Sequence, residues 1–343
     1  MIKLGHHLIG PHLPLYIIAE IGVNHNGSLE MAHSLIDEAK KCGVNAVKFQ
    51  TYITDELVLR SADQAAYQLK NSPESNQYNM LLKYELPFSC FEELKKHCDE
   101  ISVDFISTAF DPTSLDFVIG LNPVCLKWAS GELDNYPLLH QAKQSQLPIL
   151  ISTGMCTFDD IEFVTNWIGR DYPYILLQCV SNYPAKFQDQ NLLVLKEYER
   201  RFNCPVGFSD HTVGPYASIA ARTLGASVLE KHFTLDRTLP GPDHIASSTP
   251  KEFSQLVSLI RELELALGTG QKVVLEREHN VQNVARKSLV YRHFLPKGHI
   301  LEPSDLTSKR PAHGISPRHF DKFIGRSLSS EVFKDQFLSN NDF

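Results

Sequence analysis

Long apolar runs are missing from this 343-residue chain. No stretch approaches the roughly 18 residues that cross a bilayer. The N-terminus lacks the apolar core of a secretion signal, so the expectation is a cytoplasmic protein that neither spans nor coats a membrane. Cysteine is sparse and odd in number, seven in all, with no C-x-x-C pair. That excludes a disulfide framework and points to reduced thiols. Positive charge is not in excess either: the formal net charge is −7. A nucleic-acid surface is therefore not expected, and an anionic substrate would need locally placed lysines and backbone amides. Finally, no G-x-G-x-x-G or G-x-x-x-x-G-K-[ST] loop follows any strand-like run. A doubly wound sheet built around a nucleotide loses its usual signature.

What is present is alternation. Short apolar runs read as eight strands: Tyr16 to Glu20, Asn45 to Gln50, Asp104 to Thr108, Val124 to Lys127, Pro148 to Ser152, Tyr174 to Cys179, Pro205 to Ser209 and Ser227 to His232. Helix signals separate them. Ser28 opens one, with Ala32, Leu35, Ile36 and Ala39 on a single face. A long polar insertion, 53 to 100, carries a helix from Ser89, with Ser89 and Glu92 in capping-box spacing. Asp111-Pro112 starts another, and Thr157 the next. Thr249-Pro250 with Glu252 opens the last, whose stripe is Phe253, Leu256, Ile260, Leu263 and Leu267. Hydrophobic residues make up 43% of the chain, enough for a sizeable core. The expected fold is a (β/α)8 TIM barrel over residues 1–268. A charged linker, 269–287, then leads to a small β-rich domain, 288–343.

In such a barrel, chemistry gathers where strands end. Every expected strand end here is polar. His211 and His232 terminate the last two strands and would bring two imidazoles to one rim, a candidate metal site with the loop carboxylate Asp243 nearby. Lys48 and Lys127 lie in apolar strands, where an unpaired charge is costly. Hydroxyls at Thr108, Ser130, Ser152 and Ser209 could donate to phosphate and carboxylate oxygens. His25 could be a further ligand on spacing alone but is left out. Asp210 is read as orienting its loop.

These residues carry a resemblance. Ala19-Glu-Ile-Gly-Val-Asn-His-Asn-Gly27, Val47-Lys-Phe-Gln50, Ala129-Ser-Gly-Glu132, Ser152-Thr-Gly-Met155, Phe208-Ser-Asp-His-Thr212, Glu230-Lys-His-Phe233 and Gly241-Pro-Asp243 resemble the sialic acid synthase family. Leu295-Pro-Lys-Gly298, Lys309-Arg-Pro311 and Gly314-Ile-Ser316 resemble its antifreeze-like (SAF) domain. The resemblance implies a metal-dependent condensation of phosphoenolpyruvate with an N-acylated amino sugar, N-acetylmannosamine or a close relative, with C–O cleavage. Mn²⁺ is the implied metal, with Mg²⁺ or Co²⁺ as substitutes. It implies His211 and His232 as metal ligands, and Glu20, Lys48 and Glu132 at the reacting centre. Lys48, Thr108, Lys127, Ser130, Ser152, Ser181 and Ser209 are its phosphoenolpyruvate contacts. Asn71, Tyr183 and Asp243 are its sugar contacts, joined by Arg310 from the partner of a domain-swapped homodimer. Ser181 departs from members that carry Asn there. Ala312-His313 departs from the commoner Gly-Asn.

Other readings stand beside this one. Within the resemblance, the alternative is a sister synthase of legionaminic or pseudaminic type. A barrel aldolase using a Schiff base on Lys48 or Lys127 would need no metal. A non-catalytic protein whose tail binds a partner or ice would not need so complete a set of polar strand ends.

Overall fold

The computed structural model describes residues 1–65, 74, 76–169 and 171–343. The chain forms two compact units, Met1–Thr269 and Gly270–Phe343.

In the first unit, eight parallel strands close into a barrel: β3 (Tyr16–Gly22), β4 (Ala46–Thr51), β5 (Asp104–Ala109), β6 (Leu126–Trp128), β7 (Ile149–Ser152), β8 (Tyr174–Cys179), β9 (Val206–Asp210) and β10 (Val228–His232). They follow chain order around the barrel, and β10 pairs with β3 to complete it. The expected TIM barrel is the observed fold. Caps set the helices between strands. Ser28 accepts from the Met31 N–H at the head of Leu29–Lys41. Asp111 accepts from the Ser114 N–H before Pro112–Gly120. Thr157 and Asp160 cap Phe158–Ile168 reciprocally, as Thr249 and Glu252 cap Pro250–Leu267. Each such cap stabilises its helix by about 1 kcal/mol. The helices bury Leu35, Ile36, Phe91, Leu94, Ile161 and Ile260 against the outer barrel face.

Several details differ from expectation. The helix at Phe88–Glu100 starts directly after Pro87, whose preset φ suits a helix entry, so Ser89 lies within the first turn and caps nothing. In Pro250–Leu267, Phe253, Leu256, Val257 and Ile260 are buried, but Leu263 is only half-buried and Leu267 is 45% exposed. That stripe outlasts the barrel surface beneath it. The fourth strand starts two residues late, at Leu126. An unforeseen hairpin, β1 (Ile2–Leu4) with β2 (His7–Ile9), precedes the barrel. Leu4 and Ile9 join Tyr16, Ile18, Ala46, Ile106, Leu150, Ile175 and Val228 in an inner apolar cluster at the strands' amino ends. Three-residue strands are too short to show a period.

In the second unit, β11 (Ser288–Tyr291) pairs antiparallel with β12 (Leu306–Lys309). Leu289, Tyr291, Leu301, Phe323 and Val332 form its core. The stretch read as a linker carries a helix, His279–Ala285, with no buried residue. Among the described residues, no helix is long and apolar enough to cross a membrane.

Candidate active site

Side chains alternate along a strand, so every second residue of a barrel strand faces inward. At the carboxyl ends this rule turns Glu20, Lys48, Gln50, Thr108, Lys127, Ser152, Cys179, Ser209, Glu230 and His232 into one cavity of about 510 Å³. Loops add Ser130, Ser181, Tyr183, His211 and Asp243. Register supports the convergence: His232 pairs with Glu20, Glu20 with Lys48, Thr108 with Lys127, and Glu230 with Ser209.

The floor is a charge network. Lys48 Nζ lies 2.6 Å from Glu20 Oε2 and 3.9 Å from Glu230 Oε2, and donates to Thr108 Oγ1 at 3.1 Å. Lys127 Nζ lies 3.5 Å from Glu230 Oε1, which also accepts from Ser209 Oγ at 2.9 Å. All four charged side chains are at most 6% exposed. Burial pushes the Glu20 carboxyl up to about 7, despite Lys48. Burial alone would also raise Glu230, but Lys127 and Lys48 outweigh it and hold it well below the usual carboxylate range. The same burial depresses Lys127, whereas Glu20 and Glu230 keep Lys48 raised. The two glutamates thus divide the work: one fixed anion between two cations, one carboxyl poised to gain or lose a proton near neutrality. Asp243, buried beside them, is pushed up to about 6 by desolvation.

Above the floor stand the imidazoles. The rings of His211 and His232 lie 5.5 Å apart, and Tyr183 packs against His211 at 4.2 Å. His211 Nδ1 is 2.7 Å from the Val180 carbonyl, so that nitrogen carries the hydrogen and Nε2 keeps its lone pair. Among the described residues, the buried His232 Nδ1 has no hydrogen-bond partner. Burial lowers both rings, His211 to about 4, so both are neutral at pH 7. Two neutral rings, one with its tautomer set by a carbonyl and one with an orphaned nitrogen, fit a divalent metal. Among the described residues, no three His, Cys, Asp or Glu side chains form a complete metal set. The two imidazoles would therefore leave most coordination positions open.

Not every expected residue lies here. The Glu132 carboxylate accepts from Asn135 Nδ2 at 2.7 Å and is not among the cavity's lining residues. Arg310 belongs to the second unit, where it is exposed. Asn71 lies outside the described residues. His25 is buried off the cavity, its Nδ1 accepting from the Gly27 N–H at 3.1 Å. Ser181 lines the cavity close to Gly154, where an added Cβ would come within 2.4 Å of its Oγ. Glu230 and Gln50 also line the cavity, with no role assigned to either from sequence. Glu230 is two residues before His232, and Gln50, which donates to Glu20 at 3.2 Å, is two after Lys48. The period-two rule applied from His232 and Lys48 would have found both.

Comparison with known proteins agrees with this geometry. The NeuB family model matches residues 35–272, and a SAF domain model matches residues 286–343. The chain belongs to the NeuB family. It is 42% identical to the N,N'-diacetyllegionaminic acid synthase of Legionella pneumophila, over 94% of this chain and 93% of that one. It is 34% identical to the human N-acetylneuraminate-9-phosphate synthase, over 96% and 93%. A crystal structure of the N-acetylneuraminic acid synthetase of Leptospira borgpetersenii, in complex with citrate, superposes with a TM-score of 0.73 at 33% identity, covering 82% of this chain and 94% of that one. This member of the family is thus a nonulosonic acid synthase, an enzyme of the phosphoenolpyruvate-condensing kind, with a barrel followed by a SAF domain.

Proposed function

We propose that the enzyme condenses phosphoenolpyruvate with N-acetylmannosamine or a closely related N-acylated amino sugar, giving a nonulosonic acid and inorganic phosphate. The observation that carries this reading is the pair of buried lysines, Lys48 and Lys127, ringed by Thr108, Ser130, Ser152 and Ser209. Ser152 Oγ is buried with no partner of its own among the described residues, as a donor awaiting an anion would be. A trianionic substrate in a chain of net charge −7 needs such a local cradle.

The enol carbon of phosphoenolpyruvate attacks the aldehyde carbon of the open-chain sugar. Water adds at the resulting cationic carbon, and phosphate leaves with the bridging oxygen. Glu20, close to neutral-pH titration, takes the proton from that water or steadies the cationic centre. Glu230 keeps both lysines charged while they hold the anion. Tyr183 and Asp243 contact the sugar. Mn²⁺, or Mg²⁺ or Co²⁺ in its place, would be held by His211 and His232 and would act as a Lewis acid toward the aldehyde oxygen.

The test is phosphate release from phosphoenolpyruvate with Mn²⁺ and a panel of amino sugars, using substrate labelled with oxygen-18 at the bridge. Label leaving with phosphate supports C–O cleavage; label kept in the sugar acid overturns it. Full turnover in excess EDTA would remove the metal from the scheme. A second reading takes a 2,4-diacetamido sugar, favoured by the higher identity to the synthase named for diacetyllegionaminic acid.

The proposal extends to a cytoplasmic homodimer in which Arg310 serves the partner's cavity. Arg310 follows Lys309, which pairs with Asp335 on the exposed face of the second unit. A charge-assisted bond to an acyl carbonyl is worth about 1.5–3 kcal/mol. Mixing Arg310→Ala and His232→Ala subunits should restore activity toward half per mixed dimer. No recovery after demonstrated subunit exchange rules the arrangement out.

A further inference from the structure

The chemistry above leaves a second buried ion pair unused. Ser209 and Glu230 are register partners on β9 and β10 and both face the cavity. The next residues, Asp210 and Lys231, are again register partners, and alternation turns them to the outer face. Lys231 Nζ lies 2.9 Å from Asp210 Oδ2, and neither side chain is more than 2% exposed. Lys231 also donates to the Thr212 carbonyl at 2.6 Å. Asp210 Oδ1 accepts from the Thr212 N–H at 2.8 Å and from Thr212 Oγ1 at 2.7 Å, and Oδ2 accepts from Ser218. These bonds fasten the residues on both sides of His211. Lys231, for its part, immediately precedes His232.

A buried ion pair is a weak source of net stability, because desolvation offsets the attraction. Its value here is geometric. A one-residue slip of β10 along β9 would turn Glu230 out of the cavity and Lys231 into it. Pairing Asp210 with Lys231 penalises that slip, since it would leave Asp210 facing the outer helix layer without its cation. The turn closed on Asp210 then fixes where His211 leaves the strand, with its carbonyl accepting from the Ala185 N–H at 2.8 Å and its Nδ1 held by Val180.

We propose that Asp210 and Lys231 are positioning residues that set the separation of the His211 and His232 rings and the tautomer of His211. The inference rests on the metal reading for its use, while the second of its two probes is independent of that reading. The probes are Mn²⁺ binding, followed by the electron paramagnetic resonance of free Mn²⁺, and ring-nitrogen NMR of the metal-free, histidine-labelled full chain. Asp210→Asn alone strands a buried cation and could fail to fold. The double variant Asp210→Asn, Lys231→Met removes both charges together. Thr212→Val, Ser218→Ala trims only the loop bonds. The folded variants should bind Mn²⁺ about 10–100-fold more weakly, the double charge variant most. The His211 ring signal should change from a single Nδ1–H tautomer to a mixture. Wild-type affinity with a single tautomer in a folded variant overturns the proposal. If the wild-type chain binds no Mn²⁺ that His211→Ala removes, the metal reading falls, and the ring spectra alone decide the positioning claim.

Discussion

The two ends of the barrel are made from the same eight strands and obey opposite rules. At the amino ends, Leu4 and Ile9 of the hairpin close over Ile18, Ala46, Ile106, Leu150 and Ile175. A rare polar contact there, Tyr16 Oη donating to Asp104 Oδ2 at 2.6 Å, is locally satisfied. At the carboxyl ends, four charged side chains are buried together, and among the described residues Ser152 Oγ and His232 Nδ1 have no hydrogen bond. Burying such groups costs free energy, which the apolar end and the helix layer must offset. One end therefore holds the fold, and the other is held by it.

Substitutions can break that contrast. The largest expected effect is at the open end. His232→Ala should lower turnover by about 10³-fold, as loss of several kcal/mol of Lewis-acid stabilisation would, while the melting midpoint holds or rises. A large fall in midpoint would mean that the imidazole is a structural element. Next is the closed end: Leu4→Ala should cost about 2–5 kcal/mol in denaturant unfolding, with kcat of the folded fraction within about twofold. A collapse in kcat would mean that the ends are coupled. Glu20→Gln should depress kcat by about 10²-fold or more if the carboxyl moves a proton. A near-normal kcat would reduce it to a partner for Lys48.

The smallest effect sharpens the contrast through pH. Asp243 is raised to about 6 in the folded chain from an ordinary 3.8. A carboxyl raised by folding contributes stability that is fully present below its unfolded value and lost as pH climbs through its folded value. Asp243→Asn should therefore gain on the wild type between pH 4 and pH 7, seen as a converging or crossing pair of unfolding curves. A gap that does not change over that range would mean that Asp243 is not buried as a carboxylate.

Much of this contrast was legible beforehand. The barrel was readable because each strand-helix unit carries its own local punctuation, such as Asp111-Pro112 or Thr249 with Glu252. The cavity was readable because Lys48 and Lys127 sit in runs otherwise too apolar for a charge. What escaped had no local signal or a misleading one. The β1–β2 hairpin is too short for a period. Ser89 offered a capping box that Pro87 pre-empted two residues earlier. Glu230 stands out in the sequence only as part of a motif, with no role of its own, yet the strand turns it inward to Lys127 and Lys231 outward to Asp210. Neighbours in sequence belong to different environments, and only the pleat separates them.

The hairpin at the amino ends has a further consequence, one of traffic. With that pole filled by Leu4, Ile9 and Tyr16, the cavity is served from one side. Under the roles proposed, the phosphoenolpyruvate cradle of Lys48, Thr108 and Lys127 is the deeper berth, and Tyr183 with Asp243 is nearer the entrance. The first substrate in must then be the one that lies deepest, and the sugar that follows blocks its escape. Phosphate, released at the bottom, departs last. Steady-state kinetics should accordingly be ordered, with phosphate competitive against phosphoenolpyruvate and not against the sugar.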